Sequence, residues 1–305
     1  MMLKKYMQPT EEGTASIAQE ETPHITVSSA EAAVPAETAE PHEESAASEA
    51  VSAPGSPDVP DDSVIGKYLA DHQITLLEKH FPETESELSE ISYLLDGIAE
   101  HIDAADALFH TLRKAIAETD GRFNYTPNGL STEQLESVKK VVKLLKLCGV
   151  FSELRVLGSY SGTISTAARV RRFIAGTWLE LYGQQHGIEV ITEKAKQLGL
   201  PYEILCNVQV IDQTETQHEI DLMFSIGDHV FAIEMKSGLN FMDYDRYRLL
   251  AEYLHLIPDR FMLVNSTLLD KSATRCITYF YRYYICNSAD YMSTLSEMID
   301  KAFNC

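Results

Sequence analysis

The sequence predicts an α/β protein. An αβββαβ core occupies residues 163–305, a helical region covers 63–162, and a disordered acidic segment covers 1–62. Three observations predict this. Residues 218–238, HEIDLMFSIGDHVFAIEMKSG, hold two β-prone runs around the turn residues Gly227-Asp228. Between residues 88 and 116 apolar side chains recur at alternating steps of three and four. Residues 1–62 carry 13 acidic side chains against two lysines and almost no large apolar residue after Tyr6.

Length and composition set the bounds. The 305 residues leave room for one or two domains plus tails, and 45% of them are apolar, enough for a packed core. The formal net charge is −21. Beyond residue 62 the chain still carries 33 acids against 23 bases, so no broad electrostatic funnel for nucleic acid is visible. Contact with a polyanion would rest on a local patch and on bound metal ions. The five cysteines (Cys148, Cys206, Cys276, Cys286, Cys305) are far apart and form no CxxC pair. This argues against zinc ligation and disulfides and for reduced cytoplasmic thiols. The N-terminus lacks an apolar signal-peptide core, and no apolar run reaches 18 residues, so neither secretion nor a membrane span is expected.

The elements follow in chain order. The segment 1–62 is dominated by Ala, Glu, Ser, Thr and Pro, and it cannot bury enough surface to offset the entropy of ordering. Its plainest reading is a solubilising tail; an interaction tail or nucleic-acid mimic is the sharper one. Asp62-Ser63 caps a helix expected over VIGKYLADHQITLLEKHF. Leu88, Ile91, Leu95, Ile98, Ile102, Ala105, Phe109, Leu112 and Ile116 then form a heptad seam on one long helix. The seam suits a homodimeric coiled coil or packing on helices of the same chain. ETDGRFNYTPNG breaks the helix, and Ser131-Thr132 caps the next, LESVKKVVKLLKLCG. FSELRVLGSYSGTIS reads as two short strands, compatible with a small winged-helix element or with a packing linker. From an N-cap at Ser165 the helix TAARVRRFIAGTWLELYGQQHG leads into the strand YEILCNVQVID and then the hairpin. DYDRYRLLAEYLHLI and DRFMLVNS supply a closing helix and strand.

The hairpin carries the chemistry. Side chains alternate along a strand, so Glu219 and Asp221 share one face, and Glu234 and Lys236 share one face of the next strand. Phe231, Ile233 and Met235 point the other way. Charged residues here interrupt runs where a structural strand would carry Val or Ile. Asp221 and Glu234 are candidate ligands for Mg2+ or Mn2+, with the Met235 carbonyl completing the shell. Such a hard cation is what phosphodiester hydrolysis requires. Lys236 would orient the attacking water and offset developing charge. Glu180, in GTWLELY on the preceding helix, is a further candidate ligand for the same cleft.

The order of helix with Glu, strand, Asp at a hairpin and ExK on the next strand resembles the PD-(D/E)xK nucleases, which have a restriction-endonuclease-like core. The blocks GTWLELY, HEIDLMF and FAIEMKSG, with the later ATRCITYFYRYYICNSADY, are similar to the nuclease domain of CARF-fused ancillary effectors of type III CRISPR systems. The resemblance spans roughly residues 165–290. It implies metal-dependent cleavage of DNA, and of RNA as a second substrate, by a homodimer in antiviral defence, with Glu180, Glu219, Asp221, Glu234 and Lys236 at active-site positions. His218 stands where the family usually has Asn. Residues 63–160 read as helical, without the alternating strands and helices of a Rossmann-type sensor, so activation by cyclic oligoadenylate is not implied.

Plainer readings stand beside these. Trp178 reads as a core anchor. Arg169, Arg171 and Arg172, like Arg246 and Arg248 beside Tyr244 and Tyr247, suit phosphate contact or solvated helix faces. His218 and Glu219 are assigned supporting roles. The competing function is a catalytically silent nuclease fold acting as a dimeric interaction module.

Overall fold

The computed structural model describes residues 62–83, 85–211, 215–237, 244–266 and 271–303. Apart from Asp62, the acidic segment expected to be disordered lies outside them.

The first described helix, α1 (Val64–Asp71), begins where the Ser63 side chain accepts the Gly66 N–H. It is shorter than the expected helix. Gln73 adopts a left-handed backbone (φ 61°), and Ile74 N–H reaches back to the Leu69 carbonyl, closing the helix with a Schellman-type turn. The residues that follow form β1 (Thr75–His80), an edge strand antiparallel to β5 (Tyr202–Ile211). The helical expectation fails here because an open sheet edge offers pairing partners that local periodicity cannot reveal.

The seam helix forms as expected: α2 (Glu85–Glu118) is a single helix of 34 residues. Its seam is consumed inside the chain. Leu95, Ile98, Ala105, Phe109 and Leu112 are fully buried in one cluster with Val138, Val141 and Leu145 of α3 (Thr132–Leu147). Ser131 and Gln134 cap α3 reciprocally. Around it lie β2 (Arg122–Tyr125), β3 (Phe151–Val156) and β4 (Tyr160–Ile164), a three-stranded antiparallel sheet in the order β2-β4-β3.

The helix expected from Ser165 begins instead at α4 (Ala168–Arg172), because the Ser165 hydroxyl bonds the Ala167 N–H in the approach rather than capping the helix. A π-helical turn, Phe173–Thr177, with non-helical backbone at Gly176, separates α4 from α5 (Trp178–Leu198). β5, β6 (Gln217–Ile226) and β7 (His229–Lys236) then form an antiparallel meander, with Gly227 (φ 56°) at its tight turn. α6 (Tyr244–Tyr253) leads to β8 (Phe261–Asn265), parallel to β7. α7 (Lys271–Tyr281), β9 (Tyr284–Asn287) and α8 (Tyr291–Phe303) complete the described chain. The large sheet has the order β1-β5-β6-β7-β8-β9.

This is the expected αβββαβ arrangement, α5 to β8, with a core on each face of the sheet. Phe231, Ile233 and Met235 of β7 pack with α5 and α8, together with the α2–α3 core. Val230 and Ala232 pack with α1 and α6. Alternation therefore holds along β7, and it decides which face receives Glu234 and Lys236.

Candidate active site

β6 and β7 pair from Ile226↔His229 to Leu222↔Ile233, and there the ladder stops. Both strands continue, but with other neighbours. β6 stays paired to β5 back to Gln217, and β7 stays paired to β8 up to Lys236↔Asn265. The two central strands thus splay apart at Asp221 and Glu234. The Asp221 carboxylate bridges the gap by accepting the Met235 N–H through Oδ2 at 2.6 Å. A backbone donor that lost its ladder partner is satisfied by a charged side chain.

Three sequence-predicted residues meet at this wedge. Asp221 and Glu234 are 5% and 2% exposed. Lys236 Nζ lies 2.9 Å from Glu234 Oε2 and 3.3 Å from Asp221 Oδ2. Glu234 Oε1 is buried without a hydrogen-bond partner among the described residues. Glu180, in the first turn of α5, is near enough to Asp221, Lys236 and Glu219 to feel their charges. The kink that sets its place is held against the end of β7, where the Ser237 hydroxyl donates to the Ala175 carbonyl at 3.1 Å. π-helical turns recur at functional sites for this reason: they re-aim the helix that follows.

The electrostatics are those of crowded carboxylates. Burial, then the nearby Asp221, pushes Glu234 up to about 8 and Glu180 to about 7, with Lys236 pulling both back in part. Burial works to lower the Lys236 ammonium, but Glu234 and Asp221 together raise it above its ordinary value. Lys236 is therefore held firmly protonated.

A cleft of about 670 Å³ opens over the cluster, lined by Asp221, Glu234 and Lys236, by Gln217, His218 and Glu219 of β6, and by Asp245, Arg246, Tyr247, Leu249, Leu250 and Tyr253 of α6. His218 is half-buried with its ring 5.1 Å from Tyr253, and Glu219 is exposed. Sequence reasoning passed over Asp245, Leu249, Leu250 and Tyr253, although Arg246, Leu250 and Tyr253 lie at helical spacing on one face. Glu180 borders the cluster without lining the cleft. The arginines divide. Arg246 lines the cleft, whereas Arg248 pairs along α6 with Asp245 and Glu252. Arg171 reaches the Asp120 carbonyl at 3.4 Å, and Arg169 and Arg172 are exposed outside the cleft lining. Trp178 is fully buried, its ring 5.8 Å from Phe109. The Met235 side chain lies on the opposite face, pressed against Gly183 of α5.

Among the described residues no three Asp, Glu, His or Cys side chains converge closely enough to hold one ion as they stand. The chemistry of the set nonetheless fits a hard divalent cation. Its donors are all oxygen, three carboxylates face a single ammonium, and the Glu234 Oε1 lone pairs are unused.

No known protein-family profile matches the sequence, and no curated protein matches it. Solved structures do share the fold. Protein VC1899 from Vibrio cholerae superposes with a TM-score of 0.53 at 16% identity, covering 78% of this chain and 60% of that one. Can2 from Sulfobacillus thermosulfidooxidans, solved in complex with cyclic tetra-adenylate, gives 0.53 at 15% identity, covering 78% and 61%. This chain spans about three fifths of the length of either. Residues 163–305 are less than half of the chain, so matches of this extent reach back into the region before the αβββαβ core. Among the described residues no helix is long and apolar enough to cross a membrane.

Proposed function

We propose that this protein is a metal-dependent nuclease that hydrolyses phosphodiester bonds of DNA, with RNA as a second substrate, in defence or DNA processing. The observation that carries the reading is the wedge between β6 and β7, which gathers Asp221, Glu234 and Lys236 in one cleft beside Glu180. The likeness of GTWLELY, HEIDLMF and FAIEMKSG to CARF-fused effector nucleases supports it, as does a fold shared with a protein solved with cyclic tetra-adenylate.

In this reading Asp221, Glu234 and Glu180, with the Met235 carbonyl, would hold Mg2+ or Mn2+. The bound cation would supply charge neutralisation at the scissile phosphate and acidify an attacking water. Lys236 keeps its proton because two carboxylates hold it, so it serves as a hydrogen-bond donor and electrostatic stabiliser rather than as a general base. Arg246 meets phosphate at the cleft rim; Glu219 and His218 shape the β6 side. The homodimer implied by the resemblance would pair through a surface other than the α2 seam.

The test is incubation with supercoiled plasmid, single-stranded DNA and RNA in Mg2+ or Mn2+, using wild type, Asp221→Ala and Lys236→Ala. Cleavage by wild type that drops about 10²- to 10³-fold in each variant supports the reading. No cleavage of any substrate, or unchanged cleavage by the variants, overturns it. The lack of a preformed donor trio among the described residues favours one second reading, a nuclease fold retained for partner binding.

A further inference from the structure

In a chain of net charge −21, one stretch of helix is strongly basic. The second half of α3, from Lys139 on, carries Lys139, Lys140, Lys143 and Lys146, and residues 137–147 contain no acid. All four lysines are exposed, while Val138, Val141, Val142, Leu144 and Leu145 turn the other face into the core. Lys139 pairs with Glu136; Lys140, Lys143 and Lys146 have no ion pair among the described residues. Like charges on one face repel, and a helix does not need them for solubility where Glu would serve equally.

A second feature stands beside the row. The β3–β4 hairpin turns through Leu157-Gly158-Ser159, and its tip exposes Val156 by 58% and Leu157 by 87% next to exposed Arg155. Burial raises the Tyr160 phenol, and the Lys139 ammonium works against that rise. This proximity places Lys139, and with it the start of the lysine row, near the turn end of the hairpin, where Tyr160 pairs with Val156. A helix of this width fits a major groove about 12 Å across, and a projecting hairpin can follow the neighbouring backbone.

We propose that α3 and the β3–β4 hairpin form a docking surface for the phosphate backbone of duplex DNA, separate from the Asp221–Glu234–Lys236 cleft. Charge complementarity argues for this occupant: four ammoniums and Arg155 face a polyanion whose binding releases counterions. The surface binds without reading sequence, because lysine row and hairpin tip offer point charges and apolar contact rather than the paired hydrogen bonds that identify bases.

The experiment uses the full chain in EDTA, so that cleavage plays no part, and a fluorescein-labelled 25-base-pair duplex of arbitrary sequence. Anisotropy is followed in NaCl from 50 to 200 mM. The expected result is binding whose log–log salt slope shrinks by about 3 to 4 in the variant K139Q/K140Q/K143Q/K146Q, as four fewer phosphate contacts require. Affinity at 100 mM salt should fall at least about 10-fold, and far-UV spectra should stay superimposable, since all four side chains are exposed. A wild type that fails to bind, a variant with an unchanged slope, or lysine-dependent binding that favours single strands over duplex overturns the proposal. Binding in EDTA needs no cleavage, so failure of the nuclease reading, read in the Mg2+ or Mn2+ cleavage assay, and failure of this one are distinguishable.

Discussion

Glu234→Gln removes a titrating group from the wedge while keeping its size and one hydrogen-bonding oxygen, and its effect on stability should reverse with pH. Glu234 has a folded pKa near 8 and Glu180 one near 7, both above the ordinary 4.5 of an unfolded chain. The folded protein therefore binds more protons than the unfolded one between these limits. Stability is fully present below about pH 4.5 and is lost as pH rises towards 8. Each group contributes at most about 1.4 kcal/mol per pH unit. For a fold of this size that is about 3–5 °C of melting temperature per unit. Coupling between the carboxylates spreads the titration, so this is an upper bound. Lys236 stays charged across the window and adds no slope. Melting curves in EDTA at constant ionic strength should show the two proteins close together at pH 5 and Glu234→Gln several degrees more stable at pH 9. Comparison at matched pH cancels the many surface carboxylates. A melting-temperature difference that is flat from pH 5 to 9 would refute the claim that Glu234 is held protonated by burial and by Asp221.

The same variant should separate metal binding from folding. Saturating Mn2+ at pH 8 should raise the wild-type melting temperature, by about 2.7 kcal/mol of stability at 100 times Kd, and Glu234→Gln should lose most of that gain. Gly183→Ala is expected to destabilise, because its Cβ would fall 2.1 Å from Met235 Cε. Overpacking of about 1–3 kcal/mol is set against about 1 kcal/mol of improved helix propensity. Cleavage should fall too, since α5 carries Glu180 one turn earlier, and a double-mutant cycle with Met235→Ala should show the two costs to be strongly sub-additive. Leu95→Asp should abolish cooperative unfolding rather than change the sedimenting mass, because Leu95 is fully buried within its own chain. A stable, folded variant of lower mass would assign the seam to a partner instead.

Much of the fold was readable because its signals are local. The α2 heptads, the Ser131 cap and the Gly227-Asp228 turn each depend on residues within a few positions of one another. Alternation along β7 was readable for the same reason, and it placed Glu234 and Lys236 on one face. Non-local pairing was not. Nothing within ITLLEKH announces Ile211 as a partner, and the approach to α5 hides a π turn whose Ala175 carbonyl accepts from Ser237, far along the chain. The wedge itself was invisible for a related reason. Period-two alternation predicts that Asp221 and Glu234 can meet, but not that the strands part there and that Asp221 takes over the Met235 N–H. The α6 wall of the cleft was half seen: its arginines and tyrosines drew notice, but only packing showed that Arg246 faces the cluster and Arg248 does not.

The pairing of β1 with β5 has a bearing on how the molecule is assembled. A ribosome delivers β1 long before β5, so the first described strand must wait for most of the chain before it finds its place. Closing that loop is entropically costly and slow compared with forming the α2–α3 pair, whose contacts are nearer in sequence. The helical unit can therefore be in place early, while the large sheet remains open at its β5 edge until α1 and β1 return to cover it. Cutting the chain at residue 163 would leave that edge permanently bare, with Val208 and Ile220 stripped of the α1 and β1 residues Ile65, Leu69 and Ile74 that share their core. The large sheet is thus completed from both ends of the described chain, by β1 at one edge and β9 at the other.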